Sequence, residues 1–182
     1  MKKLLFLLLV LPAFAMAQVP ESYSNNNSND WILMGGLTFY DVERNFLGGG
    51  TYSTLYKLHE FGDESSLSLG SHLGLGLSYS NITGGFLMLN TPILLHLNLG
   101  HKSSTLSDFP IGFSVGLGSD AAIVAISQFR PEYIYGPMLD LNFKIRLPGY
   151  RSYTLRASYT ENIHPNNLIF GNMLNIGLYS NF

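Results

Sequence analysis

The stretch Met173-Leu174-Asn175-Ile176-Gly177-Leu178-Tyr179-Ser180-Asn181-Phe182 decides the fold class of this sequence. Apolar side chains alternate along it with small or polar ones, and a period of two is the pattern of a β-strand with two different faces. Neither face carries a charge. A half-apolar, uncharged strand of this kind is typical of a sheet that closes on itself in a membrane, where no edge is left unpaired. We therefore expect an all-β protein that crosses a membrane by strands.

The segment 65–80 repeats this alternation over a longer run. Leucines fill one of its faces almost completely, and serines, glycines and His72 fill the other. A strand face that meets water usually carries Lys, Glu or Thr, and the second face has none of them. Small polar side chains instead suit the crowded interior of an eight-stranded barrel. We therefore predict that the leucines point outward to lipid and that the polar face lines the interior.

Clusters of Gly, Pro, Asn and Asp divide the rest of the sequence into eight strand-like segments. The predicted strands are 31–43, 49–60, 65–80, 85–100, 110–119, 132–147, 150–161 and 171–182. The predicted fold is an eight-stranded antiparallel up-and-down transmembrane β-barrel, with the links after its odd-numbered strands on the outer side of the membrane. The apolar stretch 121–126 falls in the link after the fifth strand, where it either extends that strand or contacts a partner.

The first 17 residues have the features of a secretory signal peptide. Lys2 and Lys3 precede an apolar run at 4–11, and Ala15-Met16-Ala17 forms a cleavage site of small residues. The Asn-rich segment 18–30 is predicted to be a flexible leader, and 31–182 the barrel. Together these features predict export to the outer membrane of a Gram-negative bacterium.

Composition excludes several function classes. The formal net charge of −2 offers no basic surface for nucleic acid. Only 12% of the residues are charged, about half of the usual globular share of roughly a quarter. The absence of Cys leaves stability to other means than disulfides, and a closed hydrogen-bonded sheet would supply it. We expect no cofactor.

These features resemble the small outer-membrane β-barrel proteins, and in particular the porin-family barrels of the Bacteroidetes type. The stretches that carry the resemblance are Tyr135-Gly136-Pro137-Met138-Leu139-Asp140-Leu141-Asn142-Phe143, Pro148-Gly149 and Leu155-Arg156-Ala157-Ser158-Tyr159-Thr160. The spacing of Gly177 and Phe182 also resembles the end of the last strand in that family. The resemblance implies that these residues form an insertion signal for the barrel-assembly machinery. The signal rests mainly on Phe182, because Ser180 stands where that family more often has an aromatic residue.

A cluster of polar residues is predicted inside the barrel. Its members are His72, His96, Asp140, Lys144, Arg146 and Arg156. His72 and His96 are expected about one diagonal step apart, within contact. The ionic residues are expected to form a salt-bridge network that fills the interior, the alternative being a selectivity ring for a conduit. We predict no metal site, because a structural site needs about four ligands and no further ligand is evident.

The function predicted from these patterns is a non-enzymatic structural or interaction role in the cell envelope. The expected partners are outer-membrane lipid, the assembly machinery and a larger outer-membrane complex. Two alternatives are a lipid A-modifying enzyme and a narrow passive pore. Catalysis is disfavoured because Ser71 and His72 fall on opposite faces, while His101 and Ser103 lie in a turn on the periplasmic side.

Overall fold

The computed structural model describes residues 31–42, 45–80, 84–103, 109–126, 131–147, 152–163 and 171–181. The predicted signal peptide 1–17, the leader 18–30, the turn Pro148-Gly149 and Phe182 lie outside these residues. The strands are β1 (Trp31–Val42), β2 (Asn45–Gly62), β3 (Ser65–Ser80), β4 (Gly84–Asn90), β5 (Ile93–Gly100), β6 (Ile111–Ile126), β7 (Glu132–Arg146), β8 (Ser152–Thr160) and β9 (Met173–Asn181). Among the described residues, no helix has the length and apolar character needed to cross a membrane.

The strands form one closed antiparallel ring. Strands that follow one another in sequence pair with each other, except that β4 and β5 each pair with β3 and β6, and β1 pairs with β9 to close the sheet. The short strands β4 and β5 both lie between β3 and β6, so they are the two halves of one position. The ring therefore has eight positions, and the predicted eight-stranded up-and-down barrel is confirmed.

The ring is staggered by ten residues. A path of paired residues once around it runs through Asn142, Arg156, Gly177, Thr38, Gly49, Gly76, Met88, Val124 and Glu132. The path starts and finishes on β7, ten residues apart. Such a stagger means that the strands are tilted against the barrel axis, as closure of a small barrel requires.

The barrel has a Val42 end, where β1 finishes, and a Ser65 end, where β3 begins. The link between β1 and β2 at the Val42 end spans only residues 43–44. The links at this end are therefore not all long. The outward orientation of the Val42 end remains a prediction.

Burial alternates along most of each strand, but residues 58–62 of β2 are all exposed. The leucines of β3 and β5 other than Leu94 point out of the ring, whereas Ser66, Ser68, His72 and the glycines of β3 point into it. The predicted placement of the leucines outside and the polar face inside is therefore confirmed. Among the described strands, the charged residues that are not buried lie near strand ends: Asp41, Glu60, Glu132 and Arg146.

Two predicted strand limits were wrong. β6 continues to Ile126, so the apolar stretch 121–126 is an extension of this strand, and it pairs with both β4 and β7. β2 begins at Asn45 rather than at residue 49. The sequence places Gly48 in the turn before the second strand, but in the structure residues 48–50 are all paired with β1 on one side and with β3 on the other. Glycine inside a strand commonly marks a close approach of backbones, and the carbonyl of Leu75 lies where a Cβ of Gly49 would stand.

The predicted fourth strand is interrupted at Thr91 and Pro92. Proline has no backbone N–H and cannot donate to the ladder, so it breaks the regular pattern there. The register does not slip, because Gly74–Asn90 and Ser71–Ile93 follow the same pairing. The Ser71 hydroxyl donates to the Pro92 carbonyl at 2.9 Å, which ties the interrupted position to β3.

Candidate functional site

A chain of four ionisable side chains occupies the middle of the interior. Arg156 of β8 donates from Nε to Asp140 Oδ1 of β7. Its Nη1 lies 2.7 Å from His72 Nδ1 of β3. On the other side, Asp140 Oδ2 lies 3.7 Å from His96 Nδ1 of β5. All four side chains are buried, so the order His72–Arg156–Asp140–His96 forms a continuous path of contacts across the bore.

Neutral groups extend this path. Asn142 Nδ2 donates to Asp140 Oδ2 at 2.6 Å, and Asn90 Nδ2 lies 3.4 Å from His72 Nε2. The Tyr40 hydroxyl donates to Asn90 Oδ1 at 3.2 Å, which carries the path toward the Val42 end. Because the two ions are paired and Asp140 also accepts from the Asn142 amide, much of the burial of charge is compensated.

Four of the six residues predicted to form the interior polar cluster meet in the structure, and two lie elsewhere. His72, His96, Asp140 and Arg156 come together in the central chain. Lys144 is buried nearer the Ser65 end, where its Nζ donates to Asn98 Oδ1 at 3.0 Å. Arg146 is the last residue of β7 and is half-buried at that end.

The predicted contact between His72 and His96 was wrong. His96 pairs with Ser68, which lies four residues from His72 on the same strand, so the two rings are two same-face steps apart rather than one. The Arg156–Asp140 pair joins them across the intervening space. Contacts with Arg156 of β8 and Asp140 of β7 take the place of the expected contact within one hairpin.

Lys57 and His59 of β2 lie on either side of a β-bulge. Lys57 is buried, and its Nζ donates to Glu60 Oε1 at 3.0 Å. The register shifts between Lys57 and His59, and this irregularity leaves His59 exposed. A bulge inserts an extra residue and reverses the alternation beyond it.

Glycines make room for the larger interior groups. A Cβ on Gly70 would stand 2.8 Å from the His96 ring, and one on Gly116 would stand 2.5 Å from it. The His96 imidazole therefore lies between two backbone segments that carry no side chain. Gly177 of the predicted insertion signal has the same use, because a Cβ there would stand 2.6 Å from the ring of Tyr179.

An apolar plug, which the sequence analysis missed, closes the interior at the Val42 end. Its members are Tyr40, Val42, Leu47, Phe86, Met88, Ala122, Val124, Ile134 and Met173. The strands are apolar on both faces here, so period-two alternation does not separate inside from outside. The sequence held one signal for this plug: Met88 and Phe86 are separated from the inward-facing His96 by multiples of two residues, which places them on the same inward face.

A His–Ser pair, also missed, lies at the Ser65 end. His101 Nε2 is 2.8 Å from Ser152 Oγ, and both side chains are buried. Burial and the nearby charge of Lys102 lower the pKa of His101 from its ordinary value. Among the described residues no carboxylate forms a salt bridge with His101. A buried hydroxyl without an oriented base is poorly suited to nucleophilic catalysis.

Comparisons with known proteins bear on the fold. No protein-family model matches the sequence, and no curated protein matches it. Neisserial surface protein A matches at 8% identity with a TM-score of 0.58, over 86% of this chain and 98% of that one. The attachment invasion locus protein Ail of Yersinia pestis, in complex with the heparin analogue sucrose octasulfate, matches at 7% identity with a TM-score of 0.54, over 84% and 97%. The outer membrane protein OprG of Pseudomonas aeruginosa matches at 12% identity with a TM-score of 0.50, over 87% and 98%.

The fold is that of the small outer-membrane β-barrels. Sequence identities of this order show the fold alone, so the chemistry of the interior has to be judged from its own residues. Within the described residues no group of three or more His, Cys, Asp or Glu could hold a metal ion. A cavity of about 10 Å³ borders the central chain, which is about the room of one water molecule. The interior can therefore hold buried charges that are paired with each other, and its side-chain contacts link strands of the barrel wall.

Proposed function

We propose that this protein is a non-enzymatic outer-membrane barrel with a closed interior, exported by a signal peptide in a Gram-negative bacterium and serving a structural or interaction role in the cell envelope. The observation that carries the proposal is the continuous filling of the bore. The apolar plug occupies the Val42 end, the four-residue ionic chain the middle, and Lys144 with Asn98 the region toward the Ser65 end.

The outer surface supports a lipid environment. Leucine, isoleucine and valine dominate the exposed face between the ends, and the exposed aromatic residues are concentrated nearer the ends. Toward the Val42 end these are Phe39, Phe46, Tyr79, Tyr133, Tyr135 and Tyr159, and toward the Ser65 end Trp31, Phe61, Phe109 and Phe113; Tyr52 lies between the two groups on β2. Two aromatic bands around an uncharged apolar zone match the girdles of membrane barrels.

The finer parts of the proposal concern origin and partners. We propose a porin-family barrel of the Bacteroidetes type, inserted by the barrel-assembly machinery through a signal that includes Gly177 and Phe182. In the membrane it contacts lipid and serves as an accessory of a larger outer-membrane complex. Two of the four links at the Val42 end are short, at 43–44 and 81–83, and the link 161–172 is the longest there, so the wall and this link are both available for contacts.

The decisive experiment is a pull-down of the tagged protein from gently solubilised membranes. We expect a partner that is recovered in a fixed ratio and is lost when the tag is moved to an unrelated barrel. Recovery of lipid and assembly machinery alone would contradict the accessory role.

Two further measurements separate the alternatives. In planar bilayers we expect no steady conductance, because the plug and the ionic chain leave no continuous opening; a stable open level would favour the passive pore. In a deletion strain we expect the mass of lipid A to be unchanged, and a mass shift restored by the gene would favour the enzyme. A heat-dependent shift in gel mobility is the preliminary check that the barrel is folded.

A further inference from the structure

The cavity beside the central chain is lined by polar groups from several strands. They include Ser53 of β2, His72 of β3, His96 of β5, Asp140 of β7 and Arg156 of β8. Its volume of about 10 Å³ lies at the lower limit for holding one water molecule. A single small occupant is therefore the largest that the cavity accepts.

Three buried atoms belonging to lining residues have no hydrogen-bond partner among the described residues. They are Ser53 Oγ, His96 Nδ1 and Arg156 Nη2. Leaving a buried polar atom unbonded is destabilising, and buried waters typically bond two to four such groups. Three unbonded atoms on residues around one small cavity point to a shared occupant.

The gap between His96 and Asp140 gives independent support. Their nearest atoms, Nδ1 and Oδ2, are 3.7 Å apart, which is too long for a direct hydrogen bond. A polar contact at this distance is commonly bridged by water.

We propose that this cavity is an internal water site, in which one water molecule bridges His96 Nδ1, Ser53 Oγ and the Arg156 guanidinium, with Asp140 Oδ2 as a further acceptor. Size and charge both favour water over an anion. A chloride ion is larger than a water molecule, and it would meet the Asp140 carboxylate, whose charge already compensates that of Arg156. Water can donate to the carboxylate and accept from the guanidinium at the same time.

A crystal structure of the refolded barrel, with a second crystal soaked in bromide, tests the occupant directly. We expect one water peak within hydrogen-bond distance of at least two of the three atoms, and no anomalous bromide signal there. An empty cavity, or a bromide peak, would overturn the proposal.

Equilibrium unfolding provides a test by sign. Ser114 is a matched control, because its Oγ is also buried without a described partner and it does not line this cavity. We expect Ser53→Ala to lower the urea midpoint, since the water loses a partner, and Ser114→Ala to leave it unchanged or raise it. An unchanged or raised midpoint for Ser53→Ala, or an equal fall in both variants, would refute the water.

Discussion

Arg156 on β8 donates from Nε to the carboxylate of Asp140 on the neighbouring strand β7, and both side chains are buried inside the barrel. The pair is not isolated, because each ion also faces a histidine from a strand that is not its neighbour. Buried pairs of this kind contribute little net stability when intact, but removal of one partner leaves a charge that the interior cannot solvate.

Asp140→Asn is therefore expected to lower the free energy of unfolding by about 3–5 kcal/mol, measured by urea unfolding in detergent or vesicles. The control is Glu60→Gln, which breaks the partly exposed Lys57–Glu60 pair and is expected to cost about 1 kcal/mol or less. A combined replacement of Asp140 by Leu and Arg156 by Met should cost less than the two single changes together. Equal losses for the single Asp140 and Glu60 variants would argue against a buried ionic core.

Gly116→Ala is expected to destabilise the barrel by about 1–3 kcal/mol, because the new methyl group overpacks the His96 ring. Adding His96→Ser should recover much of the loss by removing the ring. Gly85→Ala is the matched control, since a Cβ at that glycine meets nothing within 4 Å, and its effect should stay within about 0.5 kcal/mol. Thermal or urea unfolding of the four proteins checks the pattern, and failure of the serine to rescue would show that His96 is not the obstacle.

The pH dependence of stability should include a contribution from His101. Its pKa is lowered in the folded protein by burial and by Lys102. Below about pH 6.5 the unfolded chain therefore binds a proton at this residue more readily than the folded chain does. The free energy of unfolding then falls with falling pH, by at most about 1.4 kcal/mol per unit from this group. Between about pH 6.5 and 5 the wild type should lose stability faster than His101→Gln, in urea titrations at fixed ionic strength. Parallel slopes would contradict the assignment.

Leu117→Arg tests which solvent the outer face meets. Leu117 is 64% exposed in the middle of β6, and a charge there would stand near the centre of the bilayer at a cost of about 2–4 kcal/mol. The same change at Tyr133, which is 51% exposed but second in β7, should cost about 0–1 kcal/mol. Folding into lipid vesicles measures both. A Leu117→Arg barrel that folds as well as the Tyr133 variant, or becomes soluble without detergent, would contradict a membrane location.

Much of the wall followed from the sequence. The clusters of Gly, Pro, Asn and Asp predicted the number of strands, and the alternation in 65–80 predicted the direction of the leucines, because one face of that strand is apolar and the other is not. The same rule failed near the Val42 end, where Met88 faces inward and Leu89 outward although both are apolar.

The interior site was harder to predict, since most of its contacts join strands that are not neighbours. Asp140, Arg156, His72 and His96 were each expected inside, but the contacts of the Arg156–Asp140 pair with the two histidines depend on closure of the ring and on its stagger. Residue spacing within one hairpin carries no information on either. The His101–Ser152 pair joins a turn to a strand 51 residues away, and no local pattern announces it.

The contact of Arg156 with His72 has a mechanical consequence. β3 and β8 are four positions apart whichever way the eight-position ring is followed, so this contact spans a diameter of the tube. A tube braced across its diameter resists flattening into an oval when lipids press on it unevenly. Lateral pressure on one wall is transmitted to the opposite wall, and the cross-section deforms as a unit.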